Sequence, residues 1–128
     1  METNKSYLKQ RLASFKFAFN GIKLLFKNEA NAKIHLLAAV VVIVAGIFFN
    51  ITRIEWCIII VTIAVVISAE GFNSAIEKLT DSIYKDRHEL AGAIKDIAAG
   101  AVLICAIAAA IIGIVIFLPY IINMLNSK

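Results

Sequence analysis

Polar and apolar positions follow two different patterns along this chain. Over 6–28, Leu8, Leu12, Phe15, Phe19, Ile22 and Phe26 recur at alternating spacings of four and three. That period draws one apolar stripe along a helix. Lys9, Lys16, Asn20, Lys23 and Lys27 draw a second stripe, about a quarter turn round the same helix. Phenylalanines beside lysines suit a helix lying in a headgroup plane, with its ammonium groups toward anionic lipid. A soluble helix packed on a partner would carry the same stripes. The interfacial reading is preferred because a long apolar run follows at once.

Beyond Lys33 the pattern changes. No Asp, Glu, Lys or Arg occurs over 34–52, 56–69 or 97–127. Apolar runs of about 18 residues or more read as membrane spans, and the first and third runs qualify by themselves. The middle run is too short alone. Its helix, starting near Ile54, is therefore still in or near hydrocarbon at Glu70, roughly 24 Å further along by helical rise. Spans are expected over about 32–49, 54–77 and 92–120. The charge-free part of the third would reach roughly 46 Å as a helix, past a hydrocarbon core of about 30 Å. Pro119 and Tyr120 are thus expected at the outer interface, with a short end lying along the surface. The fold class is an all-α membrane protein: an amphipathic interfacial helix over 6–28 plus three transmembrane helices, in one domain over 1–128. Ala98, Ala99, Gly100, Ala101 and Gly113 let neighbouring helices approach closely.

Composition agrees, with 61% apolar residues against about 45–50% in soluble domains. The net charge of +4 is uneven. Lys5, Lys9, Arg11, Lys16, Lys23, Lys27 and Lys33 precede the first span, and Lys78, Lys85, Arg87 and Lys95 lie between the second and third. The remaining turn has Arg53 and the C-terminus Lys128. The positive-inside rule puts the N-terminus and the 78–96 connection in the cytoplasm. Topology accounts for the basic charge, so nucleic acid is not an expected partner. The first 33 residues do not resemble a cleaved signal peptide. Cys57 and Cys105 sit inside apolar runs and read as packing residues without a disulfide.

The second span carries the chemistry. An ionisable residue inside a span is expensive and points to function. Glu70 is followed by Asn73, Ser74, Glu77 and Asp81 at offsets of 3, 4, 7 and 11, which share one helical face. Two carboxylates with an amide between them suit a general base and a metal ligand, since magnesium takes one or two carboxylates plus phosphate oxygens and waters. A polar seam joining helices is the plainer alternative. Glu29, ending the surface helix, and Lys95-Asp96, opening the third span, would meet this face at the cytoplasmic boundary. Singly, each reads as a solvated helix-end charge. Together with Glu77 they supply carboxylates for Mg²⁺ and a cation for phosphate, the parts phosphoryl transfer needs. Neither GxxxxGK[ST] nor GxGxxG occurs, so a nucleotide site would rest on metal and side-chain charge.

Glu70-x-x-Asn73-Ser74-Ala75-Ile76-Glu77, preceded by Asn28-Glu29-Ala30 and followed by Lys95-Asp96, resembles the prokaryotic diacylglycerol kinase family, which includes undecaprenol kinases. The resemblance spans about 11–119. It implies a homotrimer in a bacterial cytoplasmic membrane, with composite sites between subunits. It implies ATP and Mg²⁺, and a membrane lipid as acceptor. Glu70 would be the catalytic base, supported by Asn73, with Ser74 beside Glu70 on the lipid side. Glu29 and Glu77 match the metal-binding glutamates. Lys95 and Asp96 match the nucleotide-contacting pair, and Asp86-Arg87-His88 the nucleotide-facing loop. In the surface helix, Phe17 stands where some members use an aromatic hydroxyl, and Arg11 or Gln10 aligns with a basic nucleotide contact. Arg53-Ile54-Glu55-Trp56 and Phe117-Leu118-Pro119 resemble the undecaprenol branch, whereas His88-Glu89-Leu90-Ala91-Gly92 resembles the diacylglycerol branch. The competing function is a noncatalytic membrane subunit or ion-binding bundle. A pore is disfavoured, because Ile58, Ile59, Ile60, Val61, Ile111, Ile112 and Val115 leave no polar track through the outer half.

Overall fold

The computed structural model describes the backbone of residues 2–127 and the side chains of 7–127. Four helices follow one another: α1 (Glu2–Asn28), α2 (Ala30–Phe49), α3 (Arg53–Ile83) and α4 (Glu89–Asn126). Three of them, α2, α3 and α4, are long and apolar enough to cross a membrane.

Helix α1 begins a turn earlier than the apolar stripe requires. Leu8, Leu12, Phe15, Phe19 and Ile22 are all exposed along it. Only its last turn, at Leu25 and Phe26, is half-buried. A stripe left uncovered by its own chain is what an interfacial helix presents to lipid. Glu29 alone separates α1 from α2. Its extended backbone, at φ −102° and ψ 120°, breaks the helix and redirects the chain into the first span.

The opposite end is closed by a tight turn. Asn50 adopts the left-handed conformation at φ 51° and ψ 51°, which asparagine tolerates better than most residues. The amides of Asn50 and Ile51 donate to the carbonyls of Ile47 and Gly46, a Schellman motif that satisfies the helix end. Thr52 then starts α3 through a reciprocal capping box with Glu55. The Glu55 carboxylate accepts from the Thr52 amide at 2.7 Å and from its hydroxyl at 2.8 Å. It also accepts from the Tyr120 hydroxyl of α4 at 2.8 Å. Nearby, Ile51, Ile59 and Ile116 form the apolar core, packed round by Phe49, Trp56, Phe117 and Tyr120.

Helix α3 continues beyond the expected span to Ile83, so Asp81 lies on the same helix as Glu70. Helix α4 runs through Pro119 to Asn126. Cys57 is exposed rather than packed within the chain, and both cysteines are free thiols.

Candidate active site

The buried polar side chains lie at the end of the bundle opposite the Asn50 turn. Glu70 is 2% exposed, Ser74 5%, Asn73 6% and Thr80 5%. They lie on the face of α3 that also buries Val66. Of the residues that the spacing marked, Glu70, Asn73 and Ser74 turn into the protein, whereas Glu77 is half-buried and Asp81 exposed. Thr80 satisfies itself by donating to the carbonyl of Ile76 at 2.7 Å.

The other three differ. Glu70 Oε2, Asn73 Oδ1 and Ser74 Oγ are buried without a hydrogen-bond partner among the described residues. Buried polar atoms are nearly always satisfied, and an orphan carboxylate oxygen in apolar surroundings is costly. Three orphans within two turns of one helix do not form a seam within this chain. They leave a surface able to receive a polar group, from a ligand or from another copy.

The amide nitrogen of Asn73 is committed: it donates to Glu77 Oε1 at 3.1 Å. Asn73 thus orients Glu77 while its own oxygen stays unpaired. Glu29 is held from the side by the Lys78 ammonium, which links the α1–α2 break to α3. Lys78 follows Glu77 directly, so the two glutamates are within a lysine's reach of the same turn. Among the described residues no three acidic, His or Cys side chains converge as a metal cage. Magnesium does not need one, because phosphate and water supply most of its ligands. The oxygen-only donors of Glu29 and Glu77 fit such a hard cation.

A cleft of about 550 Å³ adjoins this region, lined by Asp81, Tyr84, Asp86, Arg87, His88, Glu89, Lys95 and Asp96 among others. It gathers all five nucleotide candidates from the α3–α4 connection and the start of α4. Lys95 Nζ donates to Asp81 Oδ1 at 2.9 Å, which ties α4 to the lower end of the polar face. The ring of Tyr84 lies 4.6 Å from that of His88. His88 also caps α4, its Nδ1 accepting from the Leu90 amide at 3.2 Å.

The two remaining nucleotide candidates are not brought in. Phe17 is 73% exposed on α1. Arg11 donates to the Tyr7 hydroxyl and stacks over that ring at 4.8 Å. Two neighbours of these candidates escaped the sequence reading, Tyr84 and Lys78. Tyr84 had a signal, as an aromatic closing α3 next to the candidate loop. Lys78 had none beyond adjacency to Glu77.

Comparison with known proteins identifies the family. Residues 16–117 match the family described as prokaryotic diacylglycerol kinase. The chain belongs to that family. It is 40% identical over 116 residues to the undecaprenol kinase of Bacillus subtilis, covering 91% of this chain and 94% of that protein. It is 36% identical over 115 residues to a diacylglycerol kinase of Synechocystis, covering 89% of this chain and 66% of the relative. A diacylglycerol kinase of Haemophilus influenzae is 36% identical over 102 residues, covering 80% and 84%. This family member is a lipid kinase built on membrane-spanning helices. Its matched region takes in Glu29, the Glu70–Glu77 face and Lys95-Asp96, but not Arg11.

Proposed function

We propose that the protein transfers the γ-phosphoryl group of ATP directly to the hydroxyl of a membrane lipid, with Glu70 as general base. The observation that carries this is the buried Glu70 carboxylate, whose Oε2 has no partner and whose neighbours Asn73 and Ser74 each offer an unpaired oxygen. Glu70 takes the hydroxyl proton as the lipid oxygen bonds to the γ-phosphorus. The bond from that phosphorus to the bridging oxygen breaks, and ADP leaves with the electron pair. Ser74 and Asn73 hold the lipid alcohol beside the base. Lys95, Asp96, Asp86, Arg87 and His88 hold the nucleotide in the cleft they line. Glu29 and Glu77 would hold Mg²⁺, which when bound neutralises the phosphate charge.

Uneven Lys/Arg placement supports an N-terminus and an α3–α4 connection in the cytoplasm of a bacterial inner membrane. Arg11 and Phe17 stand away from the cleft of their own chain, which supports a homotrimer in which α1 of one copy serves the cleft of another. Among the two acceptor classes, undecaprenol is the better supported. The Bacillus relative matches over nearly the full length of both chains, and Arg53-Ile54-Glu55-Trp56 resembles that branch.

Transfer of labelled phosphate from ATP to detergent-solubilised lipid tests the proposal, with undecaprenol and diacylglycerol offered in parallel. The parent should label undecaprenol faster. Glu70→Gln should keep the assembly and ATP binding but lose roughly 10²–10⁴-fold in kcat. A few-fold loss or less would end the assignment of Glu70 as base. Dissociation of the assembly would return the polar face to a structural role.

A further inference from the structure

A cavity of about 270 Å³ lies between α2, α3 and α4. Its walls are aliphatic except for Thr62 and His35. Thr62 is already engaged, its hydroxyl donating to the Ile58 carbonyl at 2.7 Å. The imidazole of His35 is half-buried. It shares a face of α2 with Ala32 and Ala39, which are 0% and 7% exposed. Small side chains on both sides let α2 approach its neighbours closely.

Val66 and Ile67 line the same cavity. Glu70 follows them by four and three residues, so it continues their face one helical turn further on. His35 therefore stands about a turn from the buried carboxylate. Lys78 and Lys95 are engaged elsewhere, with Glu29 and Asp81 respectively. A carboxylate 2% exposed and lacking a donor to Oε2 is costly to keep as an anion. Imidazole can supply a donor in either protonation state.

We propose that His35 is a positioning residue for the phosphoryl transfer: its ring N–H holds one oxygen of Glu70 and turns the other toward the lipid hydroxyl. It touches neither lipid nor nucleotide. The pairing forms as the reactive complex assembles, since catalytic hydrogen bonds are commonly long in the free enzyme and tighten with substrate bound. The proposal rests on Glu70 being the base.

His35→Phe keeps an aromatic ring in the cavity and removes the donor. Expected is a fall in kcat of roughly 10–100-fold, the scale of a misplaced catalytic group, with KM for ATP and for lipid held within about twofold. His35→Gln, which returns an N–H at similar reach, should recover most of that loss. In a Glu70→Gln background, His35→Phe should change the residual rate by less than about twofold, because residues acting through one another are not additive. Should His35→Phe fail to assemble, His35→Leu makes the same comparison with a smaller side chain. A parental kcat in His35→Phe, with Glu70→Gln inactive, overturns the positioning role alone. A Gln variant as poor as the Phe variant, or a full extra loss in the Glu70→Gln background, also overturns it. Parental kcat in Glu70→Gln would instead refute the base assignment beneath it.

Discussion

Gly46→Ala separates the stability of the bundle from its chemistry. Gly46 is a buried residue of α2 with an ordinary helical backbone, so alanine meets no conformational penalty there. By propensity alone the change would stabilise α2 by about 0.5–1 kcal/mol. The contacts oppose it. A Cβ at this position would lie 2.8 Å from Trp56 Cη2, 3.0 Å from Cζ2 and 3.1 Å from Ile51 Cδ1. These side chains cannot yield freely, because Ile51 belongs to the apolar core and Trp56 packs against it. Overpacking of this kind costs about 1–3 kcal/mol. At the middle of both ranges the clash outweighs the propensity gain, leaving a net loss of about 1 kcal/mol. The lesion is also far from the polar face: Gly46 is roughly 25 Å along α2 from Glu29 by helical rise. Equilibrium unfolding in mixed detergent micelles should show the loss, while kcat of the folded enzyme stays parental. Gly46→Ala combined with Trp56→Phe should restore stability relative to the sum of the two single changes, because the shorter ring withdraws the clashing atoms. An alanine variant as stable as the parent, or more so, would refute the tight Gly46–Trp56 contact as the lock of the α2–α3 turn.

Glu77→Gln keeps an oxygen for the Asn73 amide but removes the anion, so the Mg²⁺ concentration for half-maximal activity should rise; an unchanged magnesium titration would take Glu77 out of the metal site. Lys95→Met should raise KM for ATP more than KM for lipid, because Lys95 lines the cleft proposed for the nucleotide and a phosphate-facing cation acts on the nucleotide; a loss confined to lipid would assign the start of α4 to the lipid side. With Cys57 and Cys105 replaced, a cysteine at 86 should label only from the cytoplasm and one at 126 only from outside, and labelling of both from one side would break the three-span topology.

What the sequence made legible and what it did not divide along a physical line. The polar face of α3 could be read in advance because helical period alone puts residues 70, 73, 74 and 77 together, and a bilayer makes each of them expensive. The spans were legible for the same reason, as length and charge decide them. The helices themselves run on past the apolar layer, α3 to Ile83 and α4 to Asn126. Pairings between helices were the least accessible. Lys78 meets Glu29 across 49 positions and Tyr120 meets Glu55 across 65, and no periodicity reaches that far. The Tyr120–Glu55 contact and the Gly46–Trp56 contact fasten the Asn50 end of the bundle, where every buried hydrophobic side chain of the main cluster lies. The opposite end is fastened by the solvent-facing ion pairs Lys78–Glu29 and Lys95–Asp81 and carries three buried oxygens unpaired among the described residues. A bundle locked at one end can leave polar groups unsatisfied at the other without losing its fold. Under the proposed mechanism, that division of labour lets a small membrane chain keep Glu70 both buried and free to take a proton.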